Sequence, residues 1–177
     1  MENPWRVVRV LSNCENKVAD HLTARCVENY LPQIVQKSEW TDRTVMASRP
    51  LFPGYVFARF DRMQKVLVQS APGVIRNGVG EEIPEAELER IRTAFDQGWK
   101  LAPHLGRTEG RRVRFRNGIF AGVEGTAIEV GTNLIVVLTL SGFHESFSIE
   151  ARLDDVDFVV GADGKSTIVP LRKLAAK

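Results

Sequence analysis

Cysteine and histidine, which often act as nucleophiles, bases or metal ligands, are few in this chain. There are two cysteines, Cys14 and Cys26, and three histidines, of which His21 lies between the cysteines. A structural zinc site needs four ligands at short spacings, and no second Cys or His pair follows. The glycines of residues 118–125 lack the Lys-Ser/Thr that a phosphate-binding loop requires. The pattern therefore predicts no metal site, no cofactor and no enzyme.

A basic stripe is the first feature suited to binding a partner. Lys17, His21 and Arg25 recur every four residues where the periodicity is helical, so they share one face. Such a face could contact nucleic acid, although a solvated polar surface is what most surface helices present. The formal net charge of +2 predicts no broad phosphate-coating surface. The stripe therefore remains an open candidate for DNA contact.

An aromatic segment at residues 50–57, of sequence PLFPGYVF, is the main candidate for a protein-binding surface. On a strand, Tyr55 and Phe57 point to one face and Val56 to the other, so both faces are apolar. If helices cover only one face, Phe52 and Tyr55 remain partly exposed. Exposed aromatic patches usually mark partner surfaces. An ordinary buried core is the competing interpretation.

The elements that would position this segment alternate along the first hundred residues. Capping boxes are predicted at Ser12 with Glu15 and at Asp61 with Gln64. The predicted elements are a strand at 5–11, a helix at about 14–29, strands at 33–40 and 50–60 with a turn at 41–43 after the first, a helix from 61 toward 70, a strand at 74–75, and a helix beginning at Pro84. The order is therefore strand-helix-strand-strand-helix-strand-helix.

The second half of the chain has a different periodicity. Residues 99–109 contain proline and glycine without a period and predict a linker between a first domain at 1–98 and a second at 110–161. Residues 162–177 are basic and predict a flexible tail. Five short strands separated by Gly, Asn and Asp suggest a small closed barrel. These strands are predicted at 113–115, 126–130, 134–140, 147–150 and 156–160.

The sequence also predicts where the protein resides. Spanning a bilayer takes about 20 consecutive apolar residues, and no run approaches that length. The first five residues lack the charged and apolar regions of a signal peptide. We therefore expect a cytoplasmic protein without membrane contact.

Several motifs in a fixed order resemble the NusG family of transcription factors. They are Trp5-x-Val7-Val8 with the helix after it, the segment 50–57, and Pro72-Gly73-Val74. Residues 118–125, GIFAGVEG, resemble the KOW motif, in which glycines shape the turn that opens an SH3-like barrel. The resemblance runs over residues 4–160. It implies an α+β fold, with a NusG-type N-terminal antiparallel sheet flanked by helices and then a KOW β-barrel whose motif residues are Gly118, Phe120, Gly122 and Gly125.

The resemblance also implies a function without bond chemistry. Proteins of this family lay an aromatic patch on the clamp helices of the largest RNA polymerase subunit, bridge the cleft and suppress pausing. The residues that match this patch by position are Trp5, Phe52, Pro53 and Tyr55. The basic stripe of Lys17, His21 and Arg25 matches the surface that contacts the displaced non-template DNA strand.

The type of family member is a further expectation. The amino-acid sequence of residues 50–57, with Phe60-Asp61 after it, is more similar to RfaH-like or polysaccharide-operon antiterminators than to the housekeeping factor. Gln64-Lys65-Val66 and Ala71-Pro72 depart from RfaH. Ser141 precedes Gly142 where the general factor has the phenylalanine that meets a small-subunit ribosomal protein or Rho. A housekeeping NusG coupled to Rho or the ribosome, and a KOW-type ribosome- or RNA-binding protein, remain the alternatives.

Overall fold

The chain forms two compact units in a computed structural model. Unit 1 comprises Met1–Ile91 together with Leu140–His144, and unit 2 comprises Arg92–Thr139 and Glu145–Lys177. The described residues are 3–39, 44–105, 109–130, 133–141, 143, 145–162 and 165–169. Unit 1 is therefore built from two stretches of chain that are far apart in sequence.

The first hundred residues alternate between strands and helices. They form β1 (Trp5–Val10), α1 (Glu15–Thr23), β2 (Glu28–Tyr30), β3 (Gln33–Glu39), β4 (Thr44–Pro50), β5 (Tyr55–Arg59), α2 (Gln64–Gln69), β6 (Val74–Ile83) and α3 (Glu85–Asp96). An antiparallel sheet has the strand order β2-β5-β1-β6, and β3 pairs with β4 in a separate hairpin. The predicted α+β class, with an antiparallel sheet and flanking helices, is confirmed. Within the described residues, no helix has the length and apolar character needed to cross a bilayer.

Helix α1 differs from its prediction at both ends. The predicted capping box of Ser12 and Glu15 is wrong, because the N-cap residue is Cys14 and no side chain caps the helix. The helix also ends six residues before the predicted position 29. Cys26 adopts a φ of +56°, and the Val27 amide donates to the Leu22 carbonyl at 3.0 Å. This is the Schellman arrangement, which stops a helix by a left-handed residue after its last turn.

Helix α2 begins as the sequence predicts. The Gln64 amide donates to Asp61 Oδ1 at 2.7 Å, and the Asp61 amide donates to Gln64 Oε1 at 3.2 Å. The reciprocal pair is a capping box, which satisfies two amides that the helix leaves unpaired. After α2, the chain turns at Gly73, whose φ is +106°.

Unit 1 has more strands than predicted, and one of them is much longer than predicted. β2 and β4 were missed, and β6 extends over ten residues instead of two. The predicted strand 50–60 is interrupted before β5, where Gly54 has a φ of +85°. The polar stretch within β6 looks like a loop in sequence. It nevertheless pairs with β1, with two register shifts along the pair. The predicted turn at 41–43 lies outside the described residues.

The two apolar faces predicted for β5 are confirmed. On one face, Val56 and Ala58 are fully buried in the core that α1 and α2 share with the sheet. The helices contribute Val18, Leu22 and Val68 to this core. Phe57 points to the opposite face, as alternation along a strand requires, and it is also fully buried. Something other than α1 and α2 must therefore cover that second face.

Unit 2 contains a seven-stranded antiparallel sheet in the order β13-β12-β8-β9-β10-β11-β7. Its strands are β7 (Leu101–His104), β8 (Arg111–Phe115), β9 (Glu124–Val130), β10 (Asn133–Thr139), β11 (Ser146–Ala151), β12 (Val156–Ala162) and β13 (Lys165–Val169). β8 to β12 correspond to the five predicted strands. β7 lies where a linker was expected because Leu101 pairs with Ile149 of β11, and β13 lies where a flexible tail was expected.

Three glycines at residues 118–125, between β8 and β9, are required either by their backbone conformation or by close packing. Gly118 and Gly122 have φ values of +76° and +80°, which L residues rarely adopt. The Gly122 amide donates to the Phe115 carbonyl at 2.9 Å and closes the turn over the buried Phe120 ring. Gly125 instead faces β10 at close range. The turn residues are thus selected by backbone geometry and close packing.

Gly125→Ala is expected to destabilise unit 2 by about 1–3 kcal/mol, the typical cost of overpacking. An added Cβ would lie 2.7 Å from the Val137 carbonyl oxygen, which cannot move without distorting β10. Thermal unfolding followed by circular dichroism measures the loss. Gly80→Ala is the control, because its Cβ would be 3.6 Å from Val7. Equal midpoints for the two variants would contradict the close approach.

Candidate functional site

Four aromatic rings meet on the face of the unit 1 sheet opposite α1 and α2. We call Phe52, Tyr55, Phe57 and Phe143 the aromatic cluster. The Phe143 ring lies with its centroid 5.5 Å from Phe52, 4.7 Å from Tyr55 and 5.8 Å from Phe57. All contacts are edge-to-face, the arrangement that the quadrupoles of aromatic rings favour. Phe143 is the central ring of the cluster.

This packing corrects the expectation that Phe52 is partly exposed. Only 2% of Phe52 and 6% of Phe143 are exposed, whereas Tyr55 is half-buried. The reason is that the segment 140–144, assigned from sequence to the predicted domain at 110–161, belongs to unit 1 and adds its ring to the sheet face. Of the predicted contact residues, Pro53 is exposed and lies at the tip of the turn before β5. Contact with polymerase stays a prediction for all of them.

A buried carboxylate positions the turn that holds Phe52. Glu15, at the start of α1, is 5% exposed, and its Oε1 accepts a hydrogen bond from the Gly54 amide at 2.7 Å. The Gly54 carbonyl in turn accepts from the Val10 amide at 2.8 Å. The Leu51 amide donates to the Pro32 carbonyl at 2.8 Å, with the Leu51 side chain fully buried. The turn is therefore fastened to a helix, to β1 and to the chain before β3.

The segment that carries Phe143 is also fastened within unit 1. The Ser141 amide donates to Glu87 Oε2 at 2.8 Å, and Glu87 lies in the first turn of α3. Hydrogen bonds to a charged acceptor are stronger than neutral ones. This bond is exposed to solvent, so water competes with it. The segment 140–144 thus combines one buried ring with one exposed hydrogen bond.

Trp5 lies away from the aromatic cluster. It pairs with Arg59 in the β1–β5 register and is only 1% exposed. The Arg59 guanidinium lies 5.0 Å from the centroid of the Trp5 ring, within the range of a cation–π interaction. Arg59 also forms ion pairs with Glu85 and, at 3.6 Å, with Glu28. The predicted role of Trp5 in polymerase contact is not tested by this geometry, but its ring presents almost no surface.

The basic stripe includes one hydrogen-bonded pair. Lys17 and His21 lie on α1, and Arg25 follows two residues after its end. Arg25 NH1 lies 3.1 Å from His21 Nδ1. Because a guanidinium can only donate, Nδ1 is the acceptor in this contact. Lys17 and Arg25 are exposed. The stripe therefore offers cationic groups and one imidazole N–H to a negatively charged or hydrogen-bonding partner.

The two cysteines lie near the basic stripe in sequence. Cys14 is half-buried, Cys26 is exposed, and both are free thiols. Across the part of the chain that is described, no group of three or more His, Cys, Asp or Glu side chains could hold a metal ion.

The aromatic cluster and the basic stripe can be set against known proteins. The family model described as "Transcription termination factor nusG" matches residues 3–92. This match is half of the chain, and it includes the segment 50–57 and the whole basic stripe. The chain belongs to the NusG family. Members of this family are transcription factors. The match ends at residue 92, where unit 2 begins, so it does not cover the glycine-rich turn.

One solved structure extends the likeness of this NusG-family protein to its fold. A structure titled "Domain interaction in Thermotoga maritima NusG" is 22% identical, covers 88% of this chain and 97% of that one, and has a TM-score of 0.54. A second structure, of the MjSpt4:Spt5 complex in conformation B, is 19% identical over 90% of this chain and 99% of that one, with a TM-score of 0.31. Among curated proteins, no significant match is found.

Two residues of the site were missed by sequence reasoning. Phe143 follows a serine and a glycine in an irregular stretch, and no periodic pattern connects it to the segment 50–57. Glu15 was noticed, but it was given a capping role because its spacing from Ser12 fits one. The signal that could have separated these roles is the Asn13 between them, which adopts a φ of +62° and so interrupts a helical start.

Glu15→Ala is expected to destabilise unit 1 by about 1–3 kcal/mol, because it removes the acceptor of a part-buried amide. Glu15→Gln keeps an acceptor oxygen and should cost less. Chemical denaturation measures stability, and hydrogen exchange at the Gly54 amide reports the bond directly. The exposed Glu81→Ala is the matched control. If Gly54 exchange is equally slow in Glu15→Ala and Glu81→Ala, the carboxylate does not fasten the turn.

Proposed function

We propose that this NusG-family protein is a transcription elongation and antitermination factor that binds the RNA polymerase clamp helices with the surface of the aromatic cluster. The observation that carries the proposal is that this sheet face is aromatic although α1 and α2 cover only the other face. Phe143 covers Phe52 and leaves Tyr55 half-exposed. Once Phe143 has left it, an aromatic sheet face of this kind would accept an amphipathic helix, the docking mode that polymerase clamp helices would use.

Polymerase binding at this surface would replace the contacts made by Phe143 with contacts to the clamp helices. Phe143 makes three edge-to-face contacts, and such pairs contribute about 0.5–1.5 kcal/mol each beyond their buried area. A helical partner that places several apolar side chains against Phe52, Phe57 and Tyr55 would bury more area than one ring does. The polymerase would then replace Phe143, and the conformer that the factor binds better would gain population. The elongating state is that conformer in our proposal.

The basic stripe supports a second contact of the same complex, with the displaced non-template DNA strand. Lys17 and Arg25 are exposed cations, and His21 offers an imidazole N–H beside them. Groups of this kind meet the backbone and splayed bases of single strands. The stripe has only three residues, so it would contribute more to the orientation of the complex than to its affinity. We place the protein in the cytoplasm, with the nucleoid, through its polymerase.

We further propose a specialised role on particular long operons, supported by the spelling of residues 50–57 and by the loop that contains Phe143. The glycine-rich turn and five following strands agree with a KOW barrel that recruits a partner, such as a ribosomal small-subunit protein or Rho. Phe143 is buried in the cluster, so a partner that needs this loop would compete with Phe52 and Tyr55 for it. A gene at the head of a long biosynthetic operon would favour the specialised role over a housekeeping NusG.

The double variant Phe52→Ala with Tyr55→Ala is expected to lose retention of core RNA polymerase in a pull-down, while the circular dichroism spectrum stays native. Tyr55→Ala alone is also tested, because Tyr55 is half-buried and its loss should disturb folding less than the loss of the buried Phe52. It should weaken retention several-fold. Leu153→Ala, at a side chain that is 48% exposed in unit 2, is the control. Full retention of core RNA polymerase by the double variant would contradict the docking role.

Phe143→Ala is expected to strengthen binding to core RNA polymerase several-fold, because it removes the ring that occupies the aromatic cluster. Surface-immobilised polymerase and measured dissociation constants would test this. Leu105→Ala, at an exposed leucine, should bind as the natural chain does. An unchanged dissociation constant for Phe143→Ala would mean that the ring and the polymerase do not compete.

A further inference from the structure

Two asparagines in this chain are each followed directly by glycine, in the pairs Asn77-Gly78 and Asn117-Gly118. Asparagine is among the residues that heat damages, because a backbone amide can attack its side-chain carbonyl carbon. A glycine after it favours the attack, since glycine has no side chain to hinder the approach and gives the backbone more freedom. Both asparagines are exposed to solvent. By sequence and exposure the two pairs are therefore equally reactive, and only their backbone surroundings differ.

The Asn77-Gly78 pair is held inside β6. Gly78 is buried. A Cβ placed on it would lie 2.6 Å from the Ile75 carbonyl oxygen and 2.8 Å from the carbonyl oxygen of Arg9 in β1. Attack on the Asn77 side chain requires the Gly78 amide to rotate, and these two carbonyl groups block that rotation while β1 and β6 stay paired. The fold therefore protects this pair.

The Asn117-Gly118 pair lies in the turn between β8 and β9, outside both strands. Gly118 is exposed, and no atom of the described residues lies within 4 Å of the position that a Cβ on it would take. Within the same part of the chain, neither the Asn117 side chain nor the Gly118 amide makes a hydrogen bond. The Gly118 amide can therefore turn toward Asn117 Cγ in full contact with water.

The backbone on either side of this pair is fixed. The Arg116 amide donates to the Asp155 carbonyl at 2.9 Å, and the Gly118 carbonyl accepts from the Ala121 amide at 3.1 Å. The peptide group that joins Asn117 to Gly118 is the part left to rotate between these two anchors. The movement that brings the Gly118 amide to Asn117 Cγ is therefore local, and it leaves the strands of unit 2 paired.

We propose that Asn117 is a site of spontaneous covalent modification, which converts it to isoaspartate and aspartate. Hydroxide removes the proton of the Gly118 amide, and the amide nitrogen forms a bond to Asn117 Cγ. The bond from Cγ to Nδ2 breaks, and Nδ2 leaves as ammonia with a proton taken from water, so that a cyclic imide remains. Water then opens the ring. Opening at Cγ gives aspartate, and opening at the backbone carbonyl carbon gives isoaspartate.

Isoaspartate would alter the turn between β8 and β9, because it routes the main chain through Cβ and Cγ and so lengthens the path from Phe115 to Gly122. The Gly122 amide now donates to the Phe115 carbonyl at 2.9 Å. The buried Phe120 ring beneath this bond lies 5.6 Å from the Phe115 ring and 5.5 Å from the Trp99 ring. A longer path would weaken the bond that closes the turn. All these residues belong to unit 2, so this inference does not rest on polymerase binding.

The test is incubation of the full chain at mildly alkaline pH. Cleavage after arginine places the two asparagines on separate peptides, because Arg76 and Arg116 directly precede them. Mass spectrometry measures the gain of one mass unit in each peptide, and protein isoaspartate methyltransferase labels the isoaspartate product. In the folded chain, Asn117 should convert about tenfold faster than Asn77 or more, since a tenfold rate difference needs only about 1.4 kcal/mol and opening β6 should cost more.

Two controls separate the effect of the fold from that of the sequence. In denaturant both pairs should convert at similar rates, because the unfolded chain no longer holds Gly78 against β1. Asn117→Gln keeps an amide side chain but would have to form a larger ring, so position 117 should stay unlabelled. Hydrogen exchange at the Gly122 amide should be faster in the incubated natural chain than in the incubated Asn117→Gln chain, which experiences all other damage equally.

Conversion of Asn77 as fast as that of Asn117 in the folded chain would contradict protection by β6. The proposal fails if position 117 gains no isoaspartate in the folded chain and does so in denaturant, because the turn would then shield Asn117. Equal exchange at the Gly122 amide in the two incubated chains would show that isoaspartate leaves the turn intact and would overturn the structural consequence.

Discussion

The hydrogen bond from the Gly54 amide to the buried carboxylate of Glu15 is the constraint on which the rest of unit 1 depends. A buried carboxylate is costly unless it is hydrogen-bonded, so the position of α1 and that of the turn before β5 are set together. The same glycine accepts from Val10 in the central strand, at a φ of +85° that few other residues adopt. One residue thus links the helix, the central strand and the aromatic segment.

The two sides of β5 then have different partners. Val56 and Ala58 pack in the core formed with α1 and α2. Phe57 and Tyr55 face a surface that those helices do not reach, and the ring of Phe143 lies against both. Two different parts of the chain therefore cover the opposite faces of one strand.

Much of the fold could be predicted from sequence, and what was missed has a common cause. The capping box of Asp61 and Gln64 and the two apolar faces of β5 depend on residues close together in the chain, and both are confirmed. β2 has only three residues, and it exists because Glu28 to Tyr30 pair with a strand about thirty residues later. Of the site, the segment 50–57 was identified, but Phe143 was not, because long-range packing leaves no periodic trace.

The division of unit 1 into two stretches of chain has a consequence during synthesis. Phe52, Tyr55 and Phe57 leave the ribosome 86 to 91 residues before Phe143 does. At a translation rate of about 5–20 residues per second, the sheet face waits on the order of 4–17 seconds for its fourth ring. During that interval, the nascent chain presents three aromatic side chains without their final cover. The aromatic face is thus the part of unit 1 that is completed last, because the segment 140–144 is the last stretch of that unit to be synthesised.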